Sequence, residues 1–172
     1  MIEFNMTADD YTESNYFEYG VHKVTIEGAI LDKTDAGRAF GEIGVKGTNG
    51  ERDRARMWLH TEKAGKDTLR VIQGLCTHNA KTETGKDKVR NAFVGRIDEK
   101  KLRSFLDQMD GYEAWFKVEQ DPVRTYTGND GQERPSINKD IYSYEPKPKK
   151  QALTVEDILP GVEESDDEVP FN

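Results

Sequence analysis

Residues 52–60 read RDRARMWLH, and their strict alternation is the most decisive pattern in the chain. Period two places Ala55, Met57 and Leu59 on one side of a strand and Arg52, Arg54, Arg56, Trp58 and His60 on the other. An apolar side facing a core and a cationic, aromatic side facing out describe a half-buried strand. Immediately upstream, Thr48-Asn49-Gly50-Glu51 is a hairpin signal, because Asn-Gly tolerates the positive φ of a tight turn. Before it, 38–47 alternates as well, with Ala39, Gly41, Ile43 and Val45 set against Arg38, Phe40, Glu42 and Lys46. Asp35-Ala36-Gly37 supplies another turn. Residues 20–31 form the first strand, with Val24, Ile26, Gly28 and Ile30 on one face and Lys23, Thr25 and Glu27 on the other. Three consecutive antiparallel strands make a meander.

Downstream the period changes. Leu69, Ile72 and Leu75/Cys76 predict a helix over 66–77, and residues 79–96 read as a polar, basic connection. Leu102, Phe105, Leu106 and Met109 recur at helical spacing over 98–109, with Asp98 to cap the start and Gly111 to close the end. A fourth strand, 112–120, turns Ala114, Phe116 and Val118 inward and Trp115 and Lys117 outward. Gly128-Asn129-Asp130-Gly131 marks a turn, and a fifth strand spans about 135–144. The order strand-strand-strand, helical region, strand, strand predicts a mainly β, α+β domain. It fits a five-stranded Greek-key barrel of the OB type with a helical insertion between strands three and four. A small α+β roll would use the same elements.

The chain has 172 residues and a net charge of −8, with hydrophobic and charged residues each at 34%. That length suits one domain with appendages, and that polarity implies solvated segments. The charge is unevenly placed. Residues 1–19 hold five acids and no base, and 151–172 hold seven acids and no base. Residues 20–150 hold 21 acids and all 25 bases, a surplus of four positive charges. The division expected is therefore an acidic, aromatic lead-in (1–19), a nucleic-acid-binding domain (20–144), and a linker with an acidic, disordered tail (145–172). The Pro and Lys residues of 145–150 suit an extended linker. No apolar run is long enough to span a bilayer and the start lacks a signal-peptide pattern, so a cytoplasmic protein is expected. The single Cys76 excludes an internal disulfide framework.

Single-strand binders combine cations that track phosphates with aromatic rings on which bases stack. Arg52, Arg54, Arg56 and Trp58 supply both on one strand, and Phe40, Arg38 and Lys46 stand on the preceding one. Trp115 and Lys117 would extend the surface. In an OB barrel the strand two–three face and the loops joining strands one–two and four–five line the cleft. Those loops would bring Lys33 and Arg38, and Arg124 and Tyr126. An Arg-rich alternation is also what a merely solvated strand looks like, and the outward aromatics weigh against that. The same pattern serves RNA as well as DNA.

The chain closes on Asp166-Asp167-Glu168-Val169-Pro170-Phe171 before Asn172. An acidic segment of this kind cannot bury a core of its own, whereas an apolar anchor among carboxylates suits a basic-rimmed pocket on a partner. DDEVPF resembles the acidic C-terminal tip of bacterial single-stranded-DNA-binding proteins, which docks on replication, recombination and repair proteins. That resemblance implies partner binding by Asp166, Asp167, Glu168, Val169, Pro170 and Phe171. The family ends on Phe, whereas Asn172 follows here. The core layout, with an aromatic lead-in and a helix before strand four, is more similar to phage-encoded single-strand-binding proteins. Opposite charge would also let the tail fold back onto the basic core and compete with DNA.

No P-loop, dinucleotide fingerprint, nucleophile elbow or metal-ligand spacing is present, so neither catalysis nor a cofactor is expected. The expected function is sequence-tolerant binding of single-stranded DNA in replication, recombination or repair. An acidic interaction or inhibitor protein that mimics nucleic acid, and an RNA-binding OB module, are the alternatives.

Overall fold

The computed structural model describes residues 16–147. Five strands and three helices follow in the order β1 (Gly20–Lys33), β2 (Ala39–Lys46), β3 (Arg52–Trp58), α1 (Glu62–Asn79), α2 (Glu83–Ala92), α3 (Glu99–Asp107), β4 (Glu113–Thr127) and β5 (Glu133–Tyr142). The class is α+β, and all three helices lie between the third and fourth strands. One antiparallel sheet runs in the order β3-β2-β1-β4-β5. No helix among the described residues is long and apolar enough to cross a membrane.

The β1–β2 hairpin carries a bulge that the alternation of 20–31 does not reveal. Ile26 pairs with Val45, but the next ladder pair is Ala29 with Ile43. Two residues of β1, Glu27 and Gly28, therefore oppose the single Gly44. Gly28 takes φ +80° there, and a Cβ on Gly44 would lie 2.7 Å from the Glu27 carbonyl oxygen, so both glycines are required by the geometry. The Gly28 N–H that the bulge turns aside donates to Asp110 Oδ1 at 3.1 Å. The extra residue also inverts the alternation beyond it. Val24 and Ile26 are buried, as expected, but past the bulge Ala29 and Leu31 pack inward and Ile30 is exposed. The single-phase face of Gly28 and Ile30 with Val24 and Ile26 is thus corrected.

Side chains of Thr61, Thr82 and Asp98 cap the three helices by accepting from the N–H of Ala64, Gly85 and Lys101. α1 begins a turn earlier than its apolar spacing predicts, because Thr61 caps it ahead of the first core residue. α2 stands where a polar connection was expected. It buries no residue. Val89 and, just past its end, Phe93 are its only anchors on the core, Phe93 stacking on Phe105 with centroids 4.2 Å apart. Two apolar positions are too few for a periodic signal. α3 buries Leu102 and Leu106, and Met109 follows fully enclosed.

β4 and β5 form a long hairpin whose outer half projects from the body, with residues 122–127 all exposed. Its ladder is irregular between Gln120 and Thr125. Asp121 organises the break by accepting from the N–H groups of Val123 and Arg124, both at 2.9 Å, and from Arg124 Nε at 2.7 Å. Arg124 and Tyr126 therefore stand on the outer part of β4 and not in the loop between the strands, which is a second correction. The break hides this extension, because Pro122 interrupts the alternation where the strand resumes.

The core lies between the inner sheet face and α1 and α3, around Ile26, Ile43, Ile72, Leu75, Leu106, Met109 and Phe116. Phe17 of the lead-in joins it, its ring 5.0 Å from Phe116 in an edge-on contact. Strands β3 and β5 are the sheet edges. They approach one another without a backbone ladder, so the sheet is curled but not closed by hydrogen bonds. Lys139 of β5 reaches Asp53 of β3 across that seam.

Candidate nucleic-acid interface

The β2–β3 ladder pairs Phe40 with Trp58, Glu42 with Arg56, Gly44 with Arg54 and Lys46 with Arg52. These eight positions share the outer face of the hairpin. Arg52, Arg54, Arg56 and Trp58 are exposed there, as the alternation of 52–60 predicts, while Ala55 is buried beneath. The structure thus brings together the cations and the indole of one strand on a surface open to solvent.

That surface is organised by carboxylates. Glu42, only 9% exposed at its side chain, accepts from Arg54 Nη1 at 2.9 Å and from Arg56 Nη2 at 3.0 Å. Burial alone would raise its pKa, but the hydrogen bonds and charges of the two guanidiniums outweigh it and hold Glu42 below the ordinary value. At the far end Glu27 takes Arg52 Nε at 3.0 Å, with Lys46 Nζ 3.7 Å away. Four cations share two carboxylates, so the face keeps a net positive charge. Its arginines are also fixed in place rather than free to sweep through solvent. The Glu27 pairs are exposed and worth roughly 0–1 kcal/mol, so a phosphate can take Arg52 or Lys46 from Glu27 at little cost, whereas the shielded Glu42 holds its two arginines more firmly.

Phe40 is corrected. It lies on the outer face but is buried, with Arg56 Cζ 4.2 Å above its ring and the Trp58 ring 6.0 Å away and tilted by 66°. A cation and an indole that neighbour a phenyl ring cover it, because cation–π and edge contacts favour that arrangement. Phe40 is therefore the floor on which Arg56 and Trp58 rest, not a ring on which a base stacks. His60 stands edge-on to Trp58 from the other side, at 5.2 Å and 88°.

Lys33 and Arg38 flank the β1–β2 turn and are exposed. Lys33 pairs with Ala39, beside the Phe40–Trp58 pair, so both cations lie toward the Trp58 end of the face. Trp115 and Lys117 are not part of this group. They stand on β4 opposite Lys23 and Val21 of β1, three strands from β3, and Trp115 is half-buried. Lys117 pairs with Glu119. Arg124 reaches Asn138 Oδ1 at 3.3 Å, next to the residue that holds Asp53, while Tyr126 stands farther out on the hairpin. Opposite Tyr126 is Arg134, which the sequence reading omitted. Its signal was the register across the 128–131 turn, which the irregular ladder conceals. The role of Glu42 as anchor has no signal in the sequence, because it depends on the cross-strand neighbours. Residues 166–171 lie outside the described residues.

Neither the protein-family models nor the curated proteins searched give a match to this chain, so the reading of this surface rests on its own geometry.

Proposed function

We propose that the protein binds single-stranded DNA without strong sequence preference, across the outer face of β2 and β3. The observation that carries this reading is the exposed row Arg52, Arg54, Arg56 and Trp58, held by Glu27 and Glu42 over a buried Phe40. Guanidiniums spaced along a strand can follow a phosphate backbone, and an exposed indole among them offers a base a stacking partner. Phosphate contact and base stacking are both indifferent to base identity, which supports tolerance of sequence.

The curled sheet supports an OB-type barrel as the finer description of the fold. β1 sits centrally, β3 and β5 meet as edges, and the helices enter between the third and fourth strands. The proposed cleft then lies on the strands that such barrels use. Recruitment of replication, recombination or repair proteins through Asp166–Phe171 completes the proposal, on the strength of that motif's resemblance alone.

Titration with oligo-dT, duplex DNA and oligo-U at two ionic strengths tests it. Tight, salt-sensitive binding to oligo-dT, weak binding to duplex and a loss on Arg54→Ala are expected. Absence of binding to oligo-dT would remove the proposal, and a preference for oligo-U would move it to RNA.

A further inference from the structure

The Arg face is not the only positive surface of the core. Residues 60–97 hold eight bases and four acids, a surplus of four that equals the surplus of the whole 20–150 region. The remainder of that region is therefore neutral overall. α1 and α2 carry half of this charge, one positive charge each, and Lys81 and Arg96 just outside them carry the rest. Between the two helices and the end of β5 runs a groove of about 650 Å³. Arg70, Gln73 and His78 of α1, Lys86 and Arg90 of α2, and the exposed Tyr144 line it, and no carboxylate does.

The helix that forms one wall of this groove starts near the Trp58 end of the Arg face. α1 starts four residues beyond Trp58, and the Thr68 hydroxyl donates to the Trp58 carbonyl at 2.8 Å, so the helix start is fixed against the strand end. Lys63, Lys66, Arg70, Gln73 and Thr77 recur at alternating steps of three and four residues, which is one stripe along a helix. Its first three members are exposed cations and its last three positions line the groove. Each groove cation leans on an acid of its own helix: Arg70 on Asp67, Lys86 on Glu83, Arg90 on Asp87. Such i,i+3 pairs contribute a few tenths of a kcal/mol and yield readily to a phosphate.

We propose that the α1–α2 groove is a second phosphate-binding surface, which takes up the single strand where it leaves the Trp58 end of the β2–β3 face. The ligand is the phosphodiester backbone, with Tyr144 placed to stack a base. The inference rests on the reading of the β2–β3 face as a single-strand site.

The test compares the full-length protein with a Lys86→Gln/Arg90→Gln variant, titrated with oligo-dT of about 8 and about 25 nucleotides, lengths within and beyond the reach of one OB-sized site. Both substitutions are helix-compatible, Arg90 is exposed and Lys86 half-buried, and thermal unfolding checks that the fold is kept. The short oligomer should bind both proteins equally. The long one should bind the variant about tenfold more weakly, with a salt slope shallower by about 1.4 for two lost phosphate contacts. Unchanged affinity and slope on the long oligomer overturn this inference while leaving the β2–β3 site intact. An equal loss on both lengths also overturns it, and assigns the groove to another occupant such as the acidic 151–172 segment. If the unaltered protein binds neither oligomer, the functional reading and the inference fall together.

Discussion

The ammonium of Lys139, on β5, lies 2.8 Å from both carboxylate oxygens of Asp53, on β3. The two edge strands are thus tied by side chains where backbone pairing is absent. Asp53 is in phase with the buried Ala55, so the pair sits on the inner side of the seam and is only partly solvated. Replacing Lys139 with Met leaves a shielded carboxylate without its cation. A loss of about 1–2 kcal/mol, between the limits for exposed and buried pairs, is expected in urea unfolding. Lys139→Arg should recover most of it.

On the proposed function, Glu42 should favour stability at the expense of affinity. Glu42→Gln removes the charge shared by Arg54 and Arg56, which adds one positive charge to the face. Oligo-dT should bind about three- to tenfold more tightly at low ionic strength, with the advantage fading in salt. The same change weakens two hydrogen bonds to a buried group and should cost about 1–2 kcal/mol of stability. Affinity by fluorescence anisotropy and stability by denaturant midpoint should therefore move in opposite directions.

The two tryptophans separate the proposed face from the rest of the sheet. Trp58→Ala should weaken oligo-dT binding by about 1–3 kcal/mol, the worth of one stacking ring. Trp115→Phe, three strands away, should leave affinity unchanged. It also leaves Trp58 as the single tryptophan, whose emission should be quenched on titration with oligo-dT.

Acid should loosen the projecting hairpin. The Asp121 carboxyl is held well below its ordinary value, chiefly by the backbone N–H groups of Arg124 and Val123 and then by the Arg124 guanidinium. Its folded pKa is depressed, so its stabilisation is full above the unfolded value near pH 4 and is lost as pH falls through that value towards the folded one. Glu42 adds a contribution of the same sign. Asp121→Asn should be less stable than the unaltered protein at neutral pH, with the difference shrinking as pH falls from about 5 to about 2. Urea midpoints across that range measure it, and a difference constant with pH would deny the carboxylate this role.

The order of the five strands, the helices α1 and α3 between the third and fourth of them, the α+β class and the cationic outer face of 52–58 follow from the sequence alone. Each depends on periodicity, and periodicity is a local property of the chain. Asp98 as a helix cap and Ala55, Phe116 and Val118 as core residues are legible for the same reason. The rest depends on partners distant in sequence. Gly28 opposes Gly44, and this bulge sends Ile30 outward. Phe40 is covered because the register puts it beside Trp58 and under Arg56. Trp115 leaves the group because β1 and β2 come between it and β3. α2 has too few apolar positions to show a period, and forms where Val89 and Phe93 find the core. Local pattern decides which side of a strand a residue occupies. Which residues share that side, and what covers them, is decided only when register and strand order bring distant segments within a few ångströms of each other.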